Sequence, residues 1–206
     1  MAHAAAGFST VADCVRPFSA LEFARCMGAS AGRIDPATSH PGKKRAAPSY
    51  GIVDSQSVKT VAASEEIGID GGKKVKGRKR HIVVDTLGNL LHVAVHAANV
   101  HDTKAAPGVL ERVAEKYPGI QAFSADAGYR GTTVDFVEQQ LGLACHISTK
   151  IQDTFAILPK RWIVERTFAW LGNFRRLAKD VEILTGTAEN MIRIAMLKIT
   201  LAKLRR

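Results

Sequence analysis

Cysteine is almost missing from this chain: Cys14, Cys26 and Cys145 are the only three in 206 residues. An odd, widely spaced set supports neither a disulfide framework nor a Cys-x-x-Cys zinc site, and it points to a reduced, cytoplasmic compartment. Long apolar runs are missing too, none approaching the roughly 18–20 residues of a membrane-spanning helix. The first residues, Met1-Ala2-His3-Ala4-Ala5-Ala6, lack the positive start of a secretory signal. No phosphate-cradling Walker loop and no Ser-His-Asp constellation occurs; Gly68 to Gly77 is glycine-rich but lacks the strand-loop-helix context of such loops. Negative charge is in short supply, with 19 acidic against 29 basic side chains and a formal net charge of +10. That excess favours a polyanionic partner and, without a membrane segment, favours nucleic acid.

What is present suffices for one α/β domain plus an appendage, with an ordinary hydrophobic fraction of 46%. Residues 1–47 are rich in Ala, Gly, Ser and Pro and form an atypical arm or linker, punctuated by Pro17, Pro36 and Pro41. One short helix is expected there, because Ser19 and Glu22 have capping-box spacing ahead of Phe23, Ala24 and Met27. Residues 48–206 are orderly. Ile52 to Gln56 reads as a strand, followed by a loop that carries Lys73 to Arg80. His81 to Thr86 and Leu90 to His96 flank the hairpin signal Leu87-Gly88-Asn89. A helix begins at Asp102, with its core from Gly108, and stops before Tyr117-Pro118-Gly119; a strand from Ala122 delivers Asp126. A helix from Thr132 to Gly142, a short strand at Ala144, and helices over Trp162–Leu171 and Thr187–Leu204 complete the order. That order is the one of a ribonuclease-H-like mixed sheet flanked by helices, in which the first strand and the strand ending at Asp126 are neighbours.

Three carboxylates carry the chemistry. Asp54 emerges from the apolar run Gly51-Ile52-Val53, and Asp126 ends Ala122-Phe123-Ser124-Ala125. Glu165 lies in a helix among Trp162, Ile163, Val164 and Phe168. Taken singly, each has an ordinary explanation: an Asp after a strand caps a turn, and Glu165 can pair with Arg161 one helical turn away. Taken together, two strand-end aspartates and a helical glutamate meet the needs of a two-metal phosphodiester site, since hard Mg²⁺ takes oxygen ligands and retains water. Gly128 and Gly131, just after Asp126, would let backbone approach a bulky ligand.

Four segments resemble those of bacterial insertion-sequence transposases of the IS5 family, in the wider IS4-like DDE group. They are Asp54-Ser55-Gln56-Ser57-Val58-Lys59-Thr60, Asp70-Gly71-Gly72-Lys73 through His81, Ala125-Asp126-Ala127-Gly128-Tyr129, and Arg161-Trp162-Ile163-Val164-Glu165 through Leu171. The resemblance spans roughly residues 50–180, in order. It implies that Asp54, Asp126 and Glu165 are a catalytic triad binding two Mg²⁺, with Mn²⁺ able to substitute, and that Arg161 belongs to the glutamate's helix signature. It further implies DNA strand cleavage and transfer, a homo-oligomer in the synaptic complex, and residence at the bacterial nucleoid. This chain departs from the group's signature at Leu158 and Gly172, where a Tyr and a Lys are usual. Residues 1–47 do not resemble the family's longer helical front, so a truncated or replaced front is expected. The alternative is a catalytically silent DNA-binding remnant that interferes with an intact transposase.

The basic run Lys73, Lys74, Lys76, Arg78, Lys79 and Arg80 is expected to contact DNA phosphates, with Arg161, Arg175, Arg176 and the terminal Arg205-Arg206 extending the track. Its ordinary explanation is a solvated loop. His92 and His96 read as hydrogen-bonded strand histidines, since no further Cys or His completes a soft-metal set. Trp162 and Trp170 read as core residues rather than base-stacking platforms.

Overall fold

The strand that announces Asp54 is longer than its apolar run. In the computed structural model, which describes residues 47–61, 63–148 and 160–204, strand β1 covers Tyr50–Lys59. The arm before Ala47 with its helix at Ser19, together with Leu158 and Arg205-Arg206, lies outside these residues. Strand β2 (Gly68–Asp70) is a short addition that the sequence did not announce. Strands β3 (Val75–Val84) and β4 (Leu90–Ala97) form the expected hairpin. Helix α1 (Asp102–Lys116) leads to β5 (Ala122–Asp126). The short helix α2 (Thr132–Asp135) runs into a wider π turn and then β6 (Ala144–Ser148). Helices α3 (Arg161–Gly172) and α4 (Thr185–Leu204) end the chain.

The sheet is mixed. β1 pairs antiparallel with β3 and parallel with β5, which pairs parallel with β6, while β4 and β2 both lie beside β3. This is the ribonuclease-H-like arrangement, and it makes β1 and β5 neighbours as the element order required. β1 and β5 pair from Tyr50 and Ala122 as far as Ile52 and Ser124, so the strands part just before the two aspartates. A crevice opens at that parting, as it does beyond the carboxyl ends of parallel strands in other open sheets. Within the pair, Gly51 makes room for the Phe123 ring opposite it, because a Cβ there would lie 2.7 Å from that ring.

Two apolar clusters cover the two sheet faces. Ile52, Ile82, Val84, Val93 and Val95 pack against Ile163, Val164, Phe168 and Leu171 of α3 and Ile192 and Met196 of α4. Val53, Val83, Leu91 and Phe123 pack against Ala106, Val109, Leu110 and Val113 of α1. Burying each large aliphatic side chain contributes roughly 1.5–3 kcal/mol. α1 starts at Asp102 although Pro107 lies inside it. Proline cannot donate to the carbonyl four residues back, and that carbonyl, of Thr103, accepts the Thr133 hydroxyl at 3.4 Å instead.

The basic run is where the sequence expectation needs correction. It was expected as a loop, yet β3 begins at Val75, and Gly77 to Val84 are all buried. Arg78 is fully buried: its Nε donates to the Glu65 carbonyl at 2.8 Å, and its Nη1 to the Glu182 carbonyl at 2.9 Å and to Asp180 Oδ2 at 3.3 Å. Lys79 donates to the Val100 carbonyl at 2.8 Å and pairs with Asp102 at 2.9 Å. Arg80 donates to the Leu177 carbonyl at 2.7 Å. These three cations are turned inward and engaged, so they do not face a DNA backbone. Lys73, Lys74 and Lys76 remain exposed.

Candidate active site

The parting of β1 and β5 places Asp54 and Asp126 in one crevice with Arg161, walled by Ile52, Val53, Ser124, Ala125 and Ser148. Asp54 stands mid-strand rather than at a strand end, opposite Ile82 of β3, and its Oδ1 accepts the Ser55 N–H at 2.7 Å. Asp126 is the last residue of β5, and its Oδ1 accepts the Gly128 N–H at 2.8 Å, which starts the following turn. That bond orients one carboxylate oxygen and leaves the other toward Arg161. Arg161 Nη2 lies 3.6 Å from Asp126 Oδ2, and its Nε lies 3.0 Å from Glu165 Oε1.

Glu165 does not sit in an apolar enclosure, as its neighbours in sequence suggested. Ile163, Val164, Thr167, Phe168 and Leu171 form the buried side of α3, while the Glu165 side chain is 53% exposed on the other side. It therefore reaches the crevice through Arg161 rather than lining it. The helical ion pair weighed as its ordinary explanation is present, and the same guanidinium also touches a second member of the proposed triad. Among the described residues, no three His, Cys, Asp or Glu side chains stand close enough together to hold a metal ion.

The electrostatics of the crevice nevertheless suit a cation. Burial, with the negative charge of Asp126 acting the same way, holds the Asp54 carboxyl up at about 6 although the Ser55 N–H, Arg161 and Lys73 offset part of the rise. A carboxylate raised in this way lacks enough positive charge around it. The donors offered are hard carboxylate oxygens, the chemistry that Mg²⁺ or Mn²⁺ takes. The residues present thus fit a divalent cation in kind, with Arg161 meeting part of the same demand.

Behind the crevice, on the α1 side of the sheet, lies a buried polar pair whose two residues close two of the quoted motifs, although the sequence did not show that they meet. The Tyr129 hydroxyl and His81 Nε2 lie 3.0 Å apart, and His81 stands opposite Ser55 in the β1–β3 pairing. Burial, reinforced by His96, pushes His81 down to about 3, so it is neutral near pH 7. Burial also raises the Tyr129 phenol, and the charges of Asp54 and Asp102 add to that. The further sequence signals were the polar Ser55 in an apolar strand and an aromatic residue two after Gly-flanking Ala127.

The remaining site residues are spread out. Arg175 and Arg176 are exposed in the turn after α3, and Arg176 Nε pairs with Glu182 at 2.7 Å. Trp162 and Trp170 are half-buried and sandwich the Arg166 guanidinium at 4.2 and 4.4 Å, so their faces are occupied from within the helix. His92 and His96 stay partly buried, with His96 Nδ1 3.1 Å from the Ala97 carbonyl oxygen. No helix among the described residues is long and apolar enough to cross a membrane.

The sequence model of the family described as "Transposase DDE domain" matches residues 45–198. No curated protein matches. Among solved structures, the catalytic core domain of BIV integrase is similar at 12% identity with a TM-score of 0.44, over 72% of this chain and 81% of that one.

Proposed function

This chain belongs to the transposase DDE domain family, and from that membership we propose that it catalyses metal-dependent cleavage and transfer of DNA strands for an insertion sequence of the IS5 type. The observation that carries the proposal is the shared crevice of Asp54 and Asp126 with an under-compensated Asp54 carboxyl. Asp54 and Asp126 would hold the divalent cations, two Mg²⁺ or Mn²⁺, with Glu165 completing the set on exchanging its ion pair with Arg161 for metal. When bound, the cations supply Lewis acidity that activates the attacking oxygen and neutralises the leaving one.

The chain's own residues do the rest. Ile52, Val53 and Ala125 wall the crevice with apolar surface, which lowers the local dielectric and strengthens each charge interaction there. Arg161 holds Asp126 and Glu165 to one centre and brings a positive charge to where a phosphate would enter. Lys73, whose charge already acts on Asp54, adds a second cation at the mouth. Water attacks the phosphodiester at the element end, and the bond to the 3′ oxygen breaks to free a 3′-hydroxyl. That hydroxyl then attacks target DNA in line and displaces one of its 3′ oxygens. No covalent enzyme intermediate is required, because positioning and charge neutralisation carry phosphoryl transfer. Synapsis of two element ends calls for a homo-oligomer acting at the nucleoid.

The test is incubation with Mg²⁺ or Mn²⁺ and DNA carrying the sequences that flank the gene, with Asp126→Asn protein beside it. Metal-dependent cuts at the flanks, absent from the variant, are the expected result. A second reading draws on the Arg161 ion pairs, which engage two of the three acids while no three-carboxylate cluster forms. On that reading the protein is a silent, DNA-binding remnant that interferes with an intact transposase. Salt-sensitive DNA binding without any cut would establish it.

A further inference from the structure

At the far end of β1 from the catalytic crevice, an open groove of about 610 Å³ is lined by Lys59, Thr60, Val61, Ala63, Ile67, Lys74 and Lys76. Three of its seven walls are exposed lysines, and no carboxylate lines it. Of the two acids in the adjoining loop, Glu65 is turned away, its Oε1 accepting both the N–H and the hydroxyl of Thr185 at 2.7 and 2.9 Å.

The groove is built by the backbone rather than left by chance. Gly77 of β3 stands opposite Lys59, and a Cβ there would fall 2.0 Å from the Val58 carbonyl oxygen. Only glycine permits that approach, which brings β1 and β3 together where Lys59 and Lys76 line the groove. Lys74 reaches the same groove from the β2–β3 turn, where it adopts a φ of 53°. That turn is pinned by Asp70, whose Oδ1 accepts the N–H groups of Gly72 and Lys73 at 3.1 and 3.0 Å and whose Oδ2 accepts the Ser57 hydroxyl at 2.6 Å.

The charge of the groove points to its ligand, since three exposed lysines and no lining carboxylate suit a polyanion. From Asp54 to Lys59 is five residues of extended strand, or about 17 Å at roughly 3.3 Å per residue. We infer that this lysine groove is a second anchoring site for the DNA backbone, about 17 Å from the phosphate that reacts. Lys73 stands next to Lys74 in the β2–β3 turn and adds to the exposed positive charge there. The inference rests on the proposed function for its ligand and adds Lys59, which lies outside the basic run, to the DNA-binding set. Contacts of this kind set register and orientation without reading bases.

The test measures equilibrium binding of a 24-base-pair duplex by the full chain over a series of salt concentrations, with no cutting required. The triple variant Lys59→Gln, Lys74→Gln, Lys76→Gln is compared with the parent and with a control, Lys104→Gln, Arg112→Gln, Lys116→Gln, which removes three exposed cations from α1. Each phosphate contact contributes about 0.9 to the slope of log affinity against log salt. The groove variant should lose about 2 to 3 from that slope, and the control should keep the parent's slope. Equal slopes for the groove variant and the parent would overturn the inference, as would an equal loss in the control. If the groove variant loses its slope while the parent never cuts DNA, the groove stands and the cleavage proposal fails. Thermal melting of both triple variants confirms that each is folded.

Discussion

Two ionic centres hang on the same sheet, and they differ in how their charges are met. At the buried centre, Arg78 of β3 faces Asp180, and its remaining N–H groups are taken by the carbonyls of Glu65, Glu182 and Ile183. Nothing is left over, and the pair ties β3 to the segment that precedes α4. At the crevice, Asp126 and Glu165 share Arg161, while Asp54 has no ion pair among the described residues and its carboxyl is pushed up to about 6. A satisfied buried pair specifies structure, whereas a cluster short of positive charge marks a place where a ligand completes the balance. The two centres should therefore respond oppositely to loss of a charged member.

The sharpest difference should be in activity. Asp126→Asn should abolish strand cutting while leaving salt-dependent DNA binding as in the parent, measured by gel assay of cuts and by titration. Loss of both together would place Asp126 in the structural class with Asp180. Next in size is the effect of Arg78→Ala on stability. It strands Asp180 and several buried carbonyls, and should cost about 3–5 kcal/mol in denaturant unfolding. A cost under about 1 kcal/mol would erase the distinction between the centres.

The smallest effect tests the crevice by its sign. Because the native Asp54 carboxyl holds its proton up to about pH 6, against a usual value of 3.8, the folded state binds more protons than the unfolded chain between those values. Its contribution thus favours folding below about pH 4 and is lost as pH rises through 6. Asp54→Asn should match the parent near pH 4 and exceed it at pH 7.5, by up to about 3 kcal/mol at 1.36 kcal/mol per pH unit. Denaturant unfolding at the two pH values checks this, and a destabilised variant at pH 7.5 would contradict it.

Much of this was legible in the sequence, and the failures have physical causes. Asp54 and Asp126 could be placed because each ends an apolar run, and the order of elements makes their strands neighbours. The start of β3 was not legible, because Lys-Gly-Arg-Lys-Arg has the composition of a loop. Its burial depends on carbonyls of residues 65, 100, 177 and 182, which are distant in sequence. β2 was missed because three residues carry no period. The exposure of Glu165 could have been found by counting: Val164, Phe168 and Leu171 mark the buried stripe of α3 at helical spacing, and Glu165 falls outside it. The groove was invisible because Lys59, Lys74 and Lys76 reach one lining only through the pairing of β1 with β3 and the turn before β3.

The most direct test of the account is calorimetric titration of Mn²⁺ into the full chain at pH 7.5, with Asp54→Asn and Asp126→Asn beside it and Glu111→Gln, an exposed acid on α1, as control. The account predicts saturable binding by the parent and the control, and its loss in both crevice variants. Binding that survives in Asp54→Asn and Asp126→Asn would contradict it, because the cation would then lie somewhere other than the crevice.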